Sequence, residues 1–97
     1  MHITIRRYKT DSPKEITRIV NEGFFPLISK VAGFVAYYGI ETDDGGWASV
    51  SVFETPSGAE ESNRVAAEFI KSNENLTRLV KSPAEVVAGS VVARKAK

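Results

Sequence analysis

Residues 42 to 46 read Thr-Asp-Asp-Gly-Gly, a turn signal set between two runs rich in β-branched and aromatic residues. Upstream lies GFVAYYGIE, Gly33 to Glu41, and downstream lies GWASVSVFE, Gly46 to Glu54. Gly and Asp at the join supply the backbone freedom that a tight reversal needs, so the two runs form a β-hairpin. Few features bind distant residues as firmly. The turn sets which side chains of one strand lie beside which of the other.

The flanks fill in the rest of the order. HITIRRYK, His2 to Lys9, is a short β-rich run with Ile3 and Ile5 on one side and His2, Thr4, Arg6 and Tyr8 on the other. Ser12, Pro13 and Glu15 then read as a helix start with a capping box. Ile16, Ile19, Val20, Gly23, Phe24, Leu27 and Ile28 follow at helical spacing. Pro26 interrupts that pattern, which predicts a kink or a break into a second short helix.

After the hairpin, Thr55 or Ser57 can cap a second helix opened by Pro56. Val65, Ala66, Phe69 and Ile70 form its buried stripe. Glu60, Arg64, Glu68 and Lys71 fall on the opposite, solvated face. Asn75 to Lys81 add another turn or two of helix, Pro83 stops it, and Ala84 to Ala93 form the last strand. The order is βαββαβ. In a short chain it predicts a ferredoxin-like α+β sandwich, a four-stranded antiparallel sheet with both helices on one face.

Composition narrows the chemistry. Ninety-seven residues make a single domain, spanning 1–97. Thirteen basic and twelve acidic side chains leave a net charge of +1, no footprint for nucleic acid. There is no cysteine, so disulfides and thiolate chemistry are excluded, and a single histidine near a terminus rules out a Ser-His-acid triad. Asp43 and Asp44 are adjacent in a turn without further ligands, so no metal site is expected. No membrane-length apolar run or signal-type leader is evident, and the expected compartment is the cytoplasm.

Two helices cover one side of such a sheet, which leaves the other side to be explained. A tight turn at Asp44 and Gly45 places Phe34, Ala36, Tyr38 and Ile40 beside Trp47, Ser49, Ser51 and Phe53. Val35, Tyr37, Gly39, Ala48, Val50 and Val52 share the opposite side with Ile3 and Ile5. Small and branched residues suit helix packing, so the aliphatic side is expected under the helices. The ring-bearing side then amounts to roughly 600–1000 Å² of aromatic surface, at about 150–250 Å² per ring. A monomer's largest apolar patch is about 300–600 Å². A second copy is the economical cover. The expected site is a cavity in the homodimer lined by Thr4, Tyr8, Phe34, Tyr38, Ile40, Trp47, Ser49, Ser51 and Phe53.

From Gly33 onward, the pieces GF, Tyr, a Gly-rich hairpin, VFE, a helix and AG-x-VV stand in a set order. In that order the chain resembles the antibiotic biosynthesis monooxygenase-like family of dimeric α/β barrels, and the resemblance spans essentially the whole chain. It implies a homodimer holding a small aromatic ligand. The activity it implies is monooxygenation without any cofactor, in which a phenolic or quinol substrate is deprotonated and itself reduces oxygen. The alternative on the same barrel is a non-catalytic small-molecule-binding or stress-associated protein, and a barrel filled by its own side chains is a third. Haem-degrading members use an Asn on the first strand and a His on the second helix, and this chain has neither. Under the resemblance, Trp47 and Phe53 stack on the substrate, Tyr38 or Tyr8 hydrogen-bonds to it, and Arg6 steadies its anion. Tyr38, Trp47 and Arg6 are thus the catalytic candidates. Each also has a plain structural use: Trp47 in packing, Tyr38 as an interface anchor, Arg6 in a strand-edge ion pair.

Overall fold

The computed structural model describes residues 1–97 and arranges them in the expected order. Strand β1 spans His2–Tyr8. Helix α1 (Pro13–Ile19), a π-helical turn (Val20–Phe24) and helix α2 (Phe25–Ile28) follow. Then come β2 (Phe34–Glu41), β3 (Trp47–Phe53), α3 (Pro56–Ser72), α4 (Glu74–Leu79) and β4 (Glu85–Ser90). The strands form one sheet in the order β2-β3-β1-β4, with every neighbouring pair antiparallel. This is the ferredoxin-like α+β sandwich.

Local chemistry explains where the helices begin and bend. The Thr55 hydroxyl accepts the Gly58 N–H at 3.2 Å and caps α3. The Asn73 side chain accepts the Leu76 N–H at 3.0 Å and starts α4 as a separate helix. The box expected at Ser12 does not form. Ser12 instead donates its own N–H to the Thr10 hydroxyl at 3.0 Å, and Glu15 turns to Arg18. Pro26 has no N–H to give, and just ahead of it the helix widens by one residue. The Phe25 N–H reaches back to the Val20 carbonyl, and the resulting π turn buries Val20 and Phe24.

The hairpin corrects the expected assignment of faces. The Gly45 N–H bonds to the Thr42 carbonyl at 3.0 Å, the Thr42 N–H bonds to the Gly46 carbonyl at 3.1 Å, and Gly45 adopts a φ of +90°. Residues 42 to 46 all lie in the loop, so Glu41 pairs with Trp47, Gly39 with Ser49 and Tyr37 with Ser51. An odd loop length sets odd residues beside odd ones. A register change of one residue turns every side chain of a strand to the other face. Tyr38 and Ile40 therefore pair with Val50 and Ala48, away from the rings. A bulge between Phe34 and Ala36 then returns Phe34 to the side of Phe53.

The second correction concerns what the helices cover. They lie on the side of Trp47, Ser49, Ser51 and Phe53, not on the aliphatic side. Trp47 and Phe53 are buried in one cluster with Ile16, Ile19, Val20, Phe24, Ile28, Ala59, Ala66 and Leu76. Small residues make room for the large rings. A Cβ on Gly39 would stand 2.6 Å from the Trp47 ring, and one on Gly58 would stand 2.9 Å from the Phe53 ring. Ile3, Ile5, Val50, Tyr38, Ile40 and Val87 occupy the side that the chain leaves uncovered. There Tyr38 and Val87 are each 60% exposed.

Candidate functional site

The register of β1 against β3 delivers an unusual row of residues to the covered side. Thr4 pairs with Ser51, Arg6 with Ser49, and Tyr8 with Trp47. Arg6 is buried to 2% exposure. Its Nη1 donates to the Asn63 side-chain oxygen at 2.8 Å, and its Nη2 donates to the Ser51 hydroxyl at 3.0 Å. The Thr4 hydroxyl donates to the same Asn63 oxygen at 3.0 Å. The Arg6 Nε–H and the Ser49 hydroxyl, both buried, have no protein partner. Arg6 takes part in none of the chain's ion pairs. It is therefore a buried cation held by neutral dipoles.

Two phenols adjoin it. Burial pushes the Tyr37 hydroxyl up to about 12, against the pull of the Arg6 charge and of the nearby Ser49 hydroxyl. Burial likewise raises Tyr8, with Arg6 opposing. Both phenols stay neutral near pH 7 and keep a proton to donate. Trp47 forms the next wall. Its ring lies against Gly39, its Nε1–H donates to the Thr17 hydroxyl at 3.0 Å, and its ring centre stands 6.3 Å from that of Tyr8. The Thr17 hydroxyl in turn donates to Glu41 at 2.8 Å, which fixes the indole from behind.

These groups border a hollow between the sheet and the helices. Arg6 is its single charged wall, and Tyr8, Tyr37, Trp47, Phe24 and Phe69 are among its apolar ones. The free interior is about 20 Å³, room for about one water. Arg6, Tyr8, Ile70 and Val80 also line an adjoining cleft of about 510 Å³, bounded by Asn63, Lys81 and Val86. The hollow and the cleft thus share a wall at Arg6, Tyr8, Ile70 and Val80, the hollow being the narrower part of the site. Phe24 and Phe69, with ring centres 5.2 Å apart, form a wall that a larger guest would displace.

The candidates read from the sequence divide accordingly. Arg6, Tyr8 and Trp47 meet at the hollow. Thr4, Ser49 and Ser51 lie beneath it, Thr4 and Ser51 in the polar cluster and Ser49 with its hydroxyl unpartnered. Phe53 is fully buried core, with Phe34 edge-on to it at 5.9 Å. Tyr38 and Ile40 do not reach the site, because the hairpin register turns them to the uncovered side. Asn63 and Tyr37 were missed as site residues. Asn63 stands four residues after Ala59 and seven before Ile70, on the buried stripe of α3. A lone amide in an apolar stripe was the available signal. Tyr37 follows from the hairpin parity alone.

No protein-family model matches the chain, and no curated protein matches it. Solved structures do. The monooxygenase of the ActVA-Orf6 gene of Streptomyces coelicolor, in complex with nanaomycin D, aligns at a TM-score of 0.78 and 14% identity. That alignment covers 99% of this chain and 91% of the other. The haem-degrader MhuD of Mycobacterium tuberculosis, with two haems bound in its active site, aligns at 0.72 and 12% identity, covering 99% and 100%. SnoaB, a cofactor-independent oxygenase from Streptomyces nogalater, aligns at 0.66 and 14% identity, covering 96% and 93%. Identities this low speak for fold, and the neighbours differ in chemistry. The chain has the ferredoxin-like fold of the antibiotic biosynthesis monooxygenase-like proteins.

Proposed function

We propose that this chain is a cofactor-independent monooxygenase-like enzyme acting on a small aromatic or quinol compound. Its site lies between the sheet and the helices of each subunit. The observation that carries this reading is the Arg6 guanidinium, buried without a carboxylate and flanked by two protonated phenols at the edge of an aromatic hollow. A quinol supplies its own electrons to oxygen. The protein then has to stack the ring, hold the developing oxyanion and manage one proton. Trp47 serves the first task, Arg6 the second, and Tyr37 or Tyr8 the third. The fold likeness to a cofactor-independent oxygenase supports the same reading.

Haem fits these residues poorly. The chain's His2 sits at the start of β1, 3.4 Å from the Ser90 hydroxyl and outside the walls of the hollow. No imidazole stands on α3 or α4 to ligate an iron.

Oxygen uptake with a panel of naphthohydroquinones tests the reading. Wild type exceeds the spontaneous rate, and Tyr37→Phe and Trp47→Phe each lower the excess by about ten- to a hundredfold, in line with losing a positioned proton donor or stacking wall. Tyr38→Phe, on the far side of the sheet, changes it by less than about twofold. Uptake that Tyr37→Phe and Trp47→Phe leave unchanged would move the chemistry elsewhere.

The same reading makes the uncovered sheet face the contact with a second copy. Tyr38, Ile40 and Val87 are all large and exposed there, and two such faces cover each other in a closed dimer. Sedimentation at micromolar concentration shows a dimer for wild type and a monomer for Val87→Asp, with an unchanged circular dichroism spectrum. A wild-type monomer under those conditions would remove the interface.

A further inference from the structure

Arg6 raises a question about charge that the proposed oxidation leaves open. An arginine keeps its positive charge in a protein and offers five N–H donors in a planar fork. Asn63 and Ser51 take two of those donors, and both acceptors are neutral. Nε–H takes none. Burying a cation without an opposite charge costs several kcal/mol, so such groups are normally paired with a carboxylate. The chain has carboxylates to spare on its surface, where Arg18 and Arg64 each hold two. None is brought to Arg6. The missing negative charge is the one element that would complete this cluster.

The surroundings say what would carry it. Arg6 borders both the hollow and the cleft, but its Nε–H edge is buried, so a guest reaches the fork only as the neighbouring side chains give way. The cleft contains Arg6 and Lys81 as its charged walls and no acidic residue. Its remaining boundary includes the aliphatic and aromatic groups Ile70, Val80 and Tyr8. The Nε–H edge of a guanidinium, taken with one terminal nitrogen, is the side-on geometry that matches a planar carboxylate. We infer that the site is a receptor for aromatic carboxylates. The carboxylate docks on the free edge of Arg6, and the ring rests on the apolar walls shared by cleft and hollow. This inference rests on the function proposed above, and it adds that the substrate arrives already ionised. The carboxylate would stay intact as an anchor while oxidation proceeds elsewhere on the ring.

The arrangement also gives Asn63 a definite part. Its side-chain oxygen ties Thr4 and Arg6 together from α3, and its neutrality leaves the guanidinium charge unspent. An aspartate there would have the same shape and would supply the counterion from within.

The test compares 1-naphthoate with 1-naphthamide, nearly equal in shape and different in charge, by quenching of Trp47 fluorescence at pH 7. Wild type binds naphthoate at least tenfold more tightly than naphthamide. Asn63→Asp, checked by thermal melting to be folded, loses at least tenfold in naphthoate affinity and keeps its naphthamide affinity within about threefold. Equal binding of the two probes by wild type, or binding of neither, overturns the carboxylate assignment without reference to any variant. Undiminished naphthoate affinity in folded Asn63→Asp overturns it as well. Oxygen uptake is independent of this comparison. A charge preference without turnover leaves the receptor standing and removes the enzyme, whereas turnover without a charge preference does the reverse.

Discussion

Replacing Phe53 with alanine lowers stability by about 3–5 kcal/mol, the usual cost of emptying a buried phenylalanine site. Phe53 is wholly enclosed, and Phe34 packs edge-on against it at 5.9 Å. On the helix side the backbone of α3 comes so near at Gly58 that even one added carbon would stand 2.9 Å from the ring. The helix is anchored there by its Thr55 cap, so it cannot easily settle into the vacated space. Domains of this size have about 5–15 kcal/mol to lose. At roughly 4–8 °C per kcal/mol, a thermal melt of Phe53→Ala shifts down by more than about 12 °C. The same substitution discriminates between the two possible faces. If the ring lay on the uncovered side of a monomer, its removal would shift the melt by only a few degrees.

Arg6→Met has the opposite character: stability is kept and oxyanion binding is lost. The guanidinium costs several kcal/mol to bury. Its two hydrogen bonds, to Asn63 and Ser51, return about 1.5–3 kcal/mol each. These quantities nearly cancel, and methionine refills the volume with a flexible apolar chain. The Asn63 oxygen retains the Thr4 hydroxyl as a donor. Urea unfolding of Arg6→Met therefore gives a stability within about 1 kcal/mol of wild type, or above it. In the same protein the preference for naphthoate over naphthamide disappears, a loss of at least tenfold. A fall of about 3–5 kcal/mol would be the signature of a broken buried pair. It would mean that Arg6 is held in place for structure.

Much of the fold could be read from the chain because its signals are local. Pro13, Pro56 and Pro83, the Thr55 cap and the Thr42–Gly46 turn mark element ends by backbone chemistry that acts over a few residues. The element order, and the sandwich with it, followed from them. The faces did not. They depend on whether the hairpin loop holds an even or odd number of residues, and Asp44-Gly45-Gly46 allows either. One residue decides whether Tyr37 or Tyr38 looks toward the helices. The rule that aliphatic residues suit helix packing also failed for a definite reason. Gly58, Ala59, Ser62 and Ala66 make the inner face of α3 shallow, and a shallow helix face calls for large rings from the sheet. Arg6, Trp47 and Tyr8 were identified by residue type. Asn63 was not, because its partners lie 57 and 59 residues away in sequence.

The walls of the hollow run from β1 to the end of α4 on the helix-covered side of the sheet. In the proposed dimer, a twin chain resting on the reverse of the sheet would contribute no wall to it. On the proposed reading, occupancy would count one guest per subunit, each filling without regard to its neighbour, and titration is expected to follow a simple hyperbola. Pulling the copies apart would leave every chamber whole.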